Sequence, residues 1–410
     1  MDCPAFCRFL VDELGANIGL AQFVSLLFGV ILVSGLPLVT VIVLIWIERK
    51  VAARIQDRIG PNRVGPFGLL QTFADLLKLI AKEDITPTAA DRLLYNFAPI
   101  LSFASVVLIW AVVPFTPYHI GVDLEIGALY FVAVASLGTL AIMTAGWASN
   151  NKYALLGAFR VVALLVSYEI PLVFALMIPV LLAGSMSMMD IVYAQSGMWF
   201  VFMAPLAMVL FFISSQAETG RAPFDLIEAE SELVAGFNIE YSGMKFGMFF
   251  AGEFLHVFTN GILLAVLFFG GWFGPLWNEP LIAFLWLGLK GFVLYLISLW
   301  IRNTVPRLRI DQVMKFNWFF LVPVSIVNLL VTAFLVMFLR QIGLVPVNAE
   351  GIIQLNGANT LQLLPMTIVL FISNVAIILP VLNRVRNEGR ATRQAQDARA
   401  ESLAAHAAGD

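Results

Sequence analysis

The chain has 410 residues, of which 60% are hydrophobic and only 12% charged, and its formal net charge is −3 at pH 7. Soluble domains carry roughly 25% charged residues, so a water-soluble core of this length is excluded. The small net charge gives no sign of a nucleic-acid partner, none of which is expected, and Cys3 and Cys7 are too few thiols to hold an iron–sulfur cluster.

Apolar runs long enough for a helix to cross a hydrocarbon layer of roughly 30 Å recur along the chain. They predict transmembrane helices at 19–47, 93–114, 127–147, 153–183, 198–216, 246–274, 281–301, 318–341 and 361–382. An all-α polytopic membrane protein of about nine spans is therefore expected. Cys3 and Cys7, in the segment 1–18 before the first span, read as two unconnected or paired terminal thiols, and no metal site is expected. Asp12 and Glu13 sit where a signal peptide would carry its basic residues, so the first helix is expected to remain.

Lys and Arg number eight in 48–92, one in 148–152, two in 217–245, four in 302–317 and five after 382, while 115–126, 184–197, 275–280 and 342–360 hold none. Cytoplasmic loops carry the excess of Lys and Arg, which places the N-terminus outside and the C-terminus in the cytoplasm.

The segment after the first span begins with Ile59-Gly60-Pro61-Asn62-Arg63-Val64-Gly65-Pro66, whose Gly-Pro pairs impose a non-helical path. Beyond it, Phe67, Leu69, Leu70, Phe73, Leu76, Leu77 and Ile80 recur at helical spacing opposite Gln71, Asp75, Lys78 and Lys82, the pattern of an amphipathic surface helix. Two readings stand: a rigid linker with an interfacial anchor, or the mouth of a cavity for an amphiphile entering from the bilayer.

In the fourth span Glu169 precedes Pro171, and Arg160, nine residues earlier, falls on the opposite face and must find another partner. The segment 217–245 gathers Glu218, Asp225, Glu228, Glu230, Glu232 and Glu240 against Arg221 and Lys245. If 225–235 is helical, Glu228 and Glu232 share a face and Glu230 points away. Clustered carboxylates raise one another's pKa, which suits proton relay, and a solvated acidic loop is the other reading. In the sixth span Glu253, His256 and Asn260 form one stripe at i, i+3 and i+7, and Lys290 sits inside the seventh. Ionisable groups at a helix centre cost roughly 2.5–3.5 kcal/mol each, so they tend to face a bundle interior or a wet cavity. Packing by hydrogen bonds is the plainer reading for each, and a functional one is favoured for Glu169 and Glu253. After the periplasmic loop and extra helix of 343–383, the tail 384–410 is rich in Ala, Arg, Gln and Glu, and is either a solvated helix or disordered.

Two blocks carry a resemblance. The first is Glu48-Arg49-Lys50, then Ala53-Arg54-Ile55-Gln56-Asp57-Arg58-Ile59-Gly60-Pro61-Asn62 and Gly65-Pro66-Phe67-Gly68-Leu69-Leu70-Gln71-Thr72-Phe73-Ala74-Asp75, followed by Lys78. The second is Glu218-Thr219-Gly220-Arg221-Ala222-Pro223-Phe224-Asp225-Leu226 with Glu228-Ala229-Glu230-Ser231-Glu232 and Gly236-Phe237-Asn238-Ile239-Glu240-Tyr241. Both resemble the H subunit family of bacterial respiratory complex I, the NADH-quinone oxidoreductase, and its mitochondrial counterpart, NADH dehydrogenase subunit 1. The likeness covers roughly 20–342, an eight-helix core; the helix 361–382 and the tail depart from it.

The resemblance implies a subunit of an H⁺-translocating NADH:ubiquinone reductase, with no complete active site in this chain alone. Ubiquinone would be the substrate, in a tunnel completed by soluble subunits on the cytoplasmic side. Neighbours in the bilayer would be small membrane subunits and antiporter-like subunits, and NADH, FMN and iron–sulfur sites would lie elsewhere in the complex. It assigns Arg49, Arg54, Arg58, Phe67, Asp75, Lys78 and Phe224 to quinone, and Glu169, Glu218, Arg221, Asp225, Glu228, Glu230, Glu232 and Glu253 to proton coupling. The composition of the tail suggests a bacterial inner membrane. The membrane anchor of an energy-converting hydrogenase or formate hydrogenlyase is the nearest alternative. A secondary transporter is a different class, opposed by the lack of repeat symmetry between the two halves.

Overall fold

The structure is a computed structural model that describes residues 18–225, 236–346, 355, 357 and 360–407. Among the described residues eight helices are long and apolar enough to cross a membrane, and the chain is an all-α polytopic membrane protein. In chain order the helices are α1 (Ile18–Ile55), α2 (Gln71–Ala81), α3 (Arg92–Ile109), α4 (Gly127–Ala148), α5 (Lys152–Ala183), α6 (Met188–Tyr193), α7 (Phe200–Met203) and α8 (Pro205–Glu218). They continue with α9 (Gly243–Phe268), α10 (Pro280–Thr304), α11 (Ile310–Phe316), α12 (Val322–Gln341) and α13 (Thr360–Ala407). A π-helical turn, Asn317–Leu321, joins α11 to α12, so that they run as one span.

Side chains set these boundaries where the backbone would otherwise lack partners. Asp91 accepts from the Leu93 amide at the start of α3, and Asn151 accepts from the Tyr153 amide at the start of α5; each takes up one of the orphan donors of a helix N-terminus. Pro171 and Pro179 lie inside α5, which runs on through both.

Of the nine expected spans, 198–216 is the one that does not form a single long helix. It breaks at Ala204, where Pro205 starts α8. Fourteen residues of helix rise only about 21 Å, short of the roughly 30 Å of a hydrocarbon core. Asn374 of α13 meets the break, accepting from the Leu206 amide at 3.3 Å and donating to the Met203 carbonyl at 3.4 Å. A further departure is a short hairpin, β1 (Pro114–Thr116) with β2 (His119–Ile120), paired antiparallel in the segment after α3. The tail takes the helical option: α13 continues unbroken for 48 residues.

Between helices in lipid there is no hydrophobic driving force, and close van der Waals approach through small residues replaces it. Gly146 of α4 packs so tightly on α5 that an added Cβ would lie 2.3 Å from the Ala158 Cβ. Gly261 of α9 likewise approaches the Gly291 carbonyl of α10, with 2.9 Å to an added Cβ. Helix α9 is the centre of the bundle, with 78% of its apolar stretch buried, against 17% for α1. Polar groups on α9 are therefore held inside the protein, and those near the C-terminal end of α1 border on it.

The expected surface helix is α2, shorter than the apolar pattern suggested. Phe67 sits before it in a 3₁₀ turn (Pro66–Gly68) with φ of 56°. Gly68 has φ of 77°, and a Cβ there would lie 2.3 Å from the Pro61 carbonyl oxygen, so the Gly-Pro segment folds back on itself only with glycine at this point. Phe73, Leu77 and Ile80 of α2 stay exposed, as a helix at the membrane surface requires.

Candidate functional site

The C-terminal turns of α1, the loop after α8, and helices α9 and α10 bring together an ionic cluster inside the bundle. Arg221 donates from Nη1 to Glu48 Oε2 at 2.6 Å and from Nε to Glu253 Oε1 at 3.1 Å, with its side chain only 1% exposed. The guanidinium also lies 4.6 Å from the centre of the Phe254 ring, a cation–π contact strengthened by desolvation. Glu48 is bridged in turn to Arg302 and accepts from the Tyr295 hydroxyl at 3.3 Å. Two carboxylates and two guanidiniums balance one another, which is the condition for holding charge inside a low-dielectric bundle.

The cluster separates two cavities. The outer one, about 990 Å³, is lined by Glu48, Arg49, Gln56, Arg58 and the Gly-Pro loop 59–63, and by Gln71, Phe254 and Arg302. At its edge Arg49 pairs with Asp75 of α2, which also accepts from Gln71 at 3.2 Å. Trp46 donates to the Phe67 carbonyl at 3.2 Å. These contacts tie α1, the Gly-Pro loop and α2 into one frame.

The inner cavity, about 80 Å³, lies among α3, α4, α5, α8 and α9. Its polar lining includes Ser102, Ser105, Thr139, Glu218, Asn238, Glu253 and His256. Thr139 donates to Glu169 Oε1 at 3.3 Å, so the fourth-span acid is joined to the cavity through a hydroxyl. His256 Nε2 stands 3.9 Å from Glu218 Oε1, and Asn260 donates to the Ser215 carbonyl at 3.3 Å. The stripe Glu253, His256 and Asn260 thus faces one side, as its spacing requires. Glu253 borders the inner cavity and Glu48 the outer one, with Arg221 bonded to both. Glu169 thus reaches the inner cavity through Thr139, and the Arg221 bridge runs from Glu253 on that cavity to Glu48 on the outer one.

The structure distributes the expected quinone residues over three places. Arg49 and Arg58 line the outer cavity. Arg54, Phe67 and Lys78 are exposed and do not line it, and Asp75 is held by Arg49. Phe224 is buried in the bundle, its ring 5.3 Å from that of Tyr168, and does not border the outer cavity. Asp225 is half-buried next to it. Glu228, Glu230 and Glu232 lie outside the described residues. Glu48, Tyr295 and Arg302 are cluster members that the sequence alone does not single out. The signal for Glu48 is an acid inside the last turns of an apolar helix; Arg302 counts in the sequence only as a topological charge.

Two other ionisable groups are structural. Lys290 donates to the carbonyls of Phe269, Gly271 and Phe273 at 2.8, 2.9 and 2.6 Å, closing the turn after α9. Glu240 accepts from Asn151 at 2.7 Å, and beside it the Tyr241 ring stacks on Tyr95 at 4.2 Å. Burial, with Tyr95 adding to it, pushes the Tyr241 phenol above its usual pKa. It stays neutral and donates to the Tyr95 carbonyl at 3.3 Å, clamping the end of the acidic segment to α3. Among the described residues no group of His, Cys, Asp and Glu is placed to hold a metal ion.

A polytopic helical bundle in which a buried ionic bridge lies between two cavities defines an integral membrane protein that holds paired charges inside its bundle. A family model described as NADH dehydrogenase matches residues 28–333. The chain is 48% identical over 312 residues to the H subunit of the NADH-quinone oxidoreductase of Dehalococcoides mccartyi, covering 76% of this chain and 87% of that one. It is 50% identical over 287 residues to the H subunit of the Geobacillus kaustophilus enzyme (70% and 86% covered) and 49% identical over 298 residues to that of the Brevibacillus brevis enzyme (72% and 88% covered). The chain belongs to the NADH dehydrogenase family, among the H subunits of NADH-quinone oxidoreductase, as its two motif blocks indicated.

Proposed function

We propose that this chain forms part of the ubiquinone-binding chamber of a proton-translocating NADH:quinone oxidoreductase and couples quinone reduction to proton movement. The observation that carries the reading is the Glu253–Arg221–Glu48 bridge between the two cavities. On this reading the quinone headgroup passes Phe67, Asp75 and Lys78 and enters the outer cavity beside Arg49 and Arg58. Arg54 orders the loop and Phe224 backs the chamber from the bundle side. Reduction and protonation there change the charge facing Glu48 and Arg302. Because Arg221 is shared, a change in the balance at Glu48 alters the field at Glu253, and coupled carboxylates answer a change of charge by a change of proton occupancy. Glu253, Glu218 and Glu169 then pass protons along the inner cavity, and Asp225, Glu228, Glu230 and Glu232 extend the acidic path.

The reducing equivalents come from flavin and iron–sulfur subunits on the cytoplasmic side, and antiporter-like and small membrane subunits receive the coupling signal. The Lys and Arg bias sets the Gly-Pro loop and the acidic segment toward the cytoplasm of a bacterial inner membrane. The outer cavity favours this reading over a hydrogenase membrane anchor, which has no need of a chamber for an amphiphile.

The test is Ile59→Trp, which adds bulk to the outer cavity at an exposed position that takes no part in the ionic cluster. The assembled complex is expected to show a several-fold higher KM for a short-chain ubiquinone, with NADH oxidation by a water-soluble dye unchanged. An unaltered KM refutes the placement of quinone here.

A further inference from the structure

His256 faces the inner cavity and has no task in the coupling set out above. Its Nε2 stands 3.9 Å from Glu218 Oε1, too far for a direct hydrogen bond and suited to one mediated contact. His256 Nε2 and Glu218 Oε2 are both buried and make no hydrogen bond. A buried polar atom without a partner costs about 1–3 kcal/mol, and Glu218 and His256, which both line the inner cavity, each carry one such atom while Oε1 and Nε2 approach to 3.9 Å, which places the carboxyl and the ring close enough to exchange a proton through one intervening group. Glu253 lies one helical turn from His256 on the same face, and both border the cavity.

We propose that His256 is a proton-transfer station between Glu218 and Glu253. The inference rests on the coupling reading above and deepens it. The carboxyl of Glu218 gives its proton to the neutral imidazole at Nε2, leaving a carboxylate beside an imidazolium. The imidazolium then releases a proton toward the Glu253 carboxylate across the hydroxyl-lined cavity, and the ring returns to its neutral form. One proton moves and no other charge is created. Imidazole suits the step because one ring nitrogen can take up a proton while the other releases one.

The groups that set its balance are Glu218 from α8, Glu253 from its own helix with Arg221 behind it, and Glu169 from α5 acting through Thr139 of α4. Helix α3 presents Ser102 and Ser105, and the 236–238 turn presents Asn238, none of which titrates.

The experiment compares the parent complex with His256→Gln in sealed vesicles, measuring protons translocated and quinone reduced from pH 5.5 to 8.5. Glutamine keeps a hydrogen-bonding amide and carries no proton. The variant is expected to pump at least about a hundredfold slower, and to lose an ionisation from the pH profile that the parent shows. A packing role predicts the same loss at every pH, and that result, or parental pumping, overturns the proposal. Deuterium exchange at the His256 C2–H, followed by mass spectrometry on the parent complex, needs no variant. An exchange rate that titrates with pH supports the relay, and a ring that neither exchanges nor titrates overturns it. If Glu253→Gln pumps like the parent, the coupling reading fails and this inference with it. If Glu253→Gln loses pumping as expected while His256→Gln pumps like the parent, only the inference about His256 fails.

Discussion

Replacing Arg221 by Met removes a guanidinium that holds two carboxylates at once, Glu48 at 2.6 Å and Glu253 at 3.1 Å, from a site where its side chain is 1% exposed. Met occupies much of the same volume and brings no charge. Breaking a buried pair by deleting one partner costs about 3–5 kcal/mol, because the remaining charge is left poorly compensated. Glu48 keeps Arg302 and Tyr295, which places the expected loss at the lower end, about 3 kcal/mol. At about 1 °C per kcal/mol for a chain of this length, the melting temperature of the purified complex should fall by about 3 °C. Because membrane complexes unfold irreversibly, parent and variant are compared at one scan rate. The double variant Arg221→Met with Glu253→Gln should melt above the single one, since it removes one of the two stranded charges. A single variant that melts with the parent, or a double variant whose loss is the plain sum of the two, would refute the shared bridge.

Two further substitutions separate structure from chemistry. Lys290→Met strips three carbonyls of their donor at about 1–3 kcal/mol for each acceptor left buried; the yield of assembled complex should fall while the KM for quinone in what assembles stays parental, and a changed KM would give Lys290 a role at the substrate. Gly157→Ala puts a Cβ 2.8 Å from the Gly236 backbone, so α5 must push away the end of the acidic segment, at about 1–3 kcal/mol. Proton pumping should suffer in this variant and not in Gly288→Ala, where a Cβ meets nothing within 4 Å; equal pumping in both would detach the acidic segment from the coupling path.

Much of the fold was legible because lipid makes long apolar helices obligatory, and an uninterrupted hydrophobic run is a strong signal. The stripe of Glu253, His256 and Asn260 was legible for a related reason: three polar residues at helical spacing on an apolar helix have one face in common. The break at Ala204-Pro205 was not legible, since the span 198–216 reads as one apolar run and α5 continues through Pro171 and Pro179, and neither was its support. Asn374 meets Leu206 across 168 residues of sequence, and no local pattern carries that contact. The same distance hid the centre of the site. Arg221 and Glu48 are 173 residues apart, and Arg302 and Glu48 are 254 apart. Composition showed that each buried charge needed a partner, and only the packing of α1 against α9 and α10 shows which partner it has. Arg302, in the last turn of α10, reads from sequence as a cytoplasmic anchor because loops and helix ends both collect arginine.

The most direct test of coupling through the bridge is Glu253→Gln, with protons translocated and quinone reduced measured together in the same sealed vesicles. Glutamine can still accept from Arg221 Nε, so the contact at 3.1 Å is kept in shape while the group can no longer ionise. Glu253 does not border the outer cavity, so the KM for quinone should remain parental. Pumping should fall by about two orders of magnitude or more, the range for removal of a proton-transferring group. Parental pumping in a correctly assembled variant would contradict the account, since the line between the two cavities would then carry no protons.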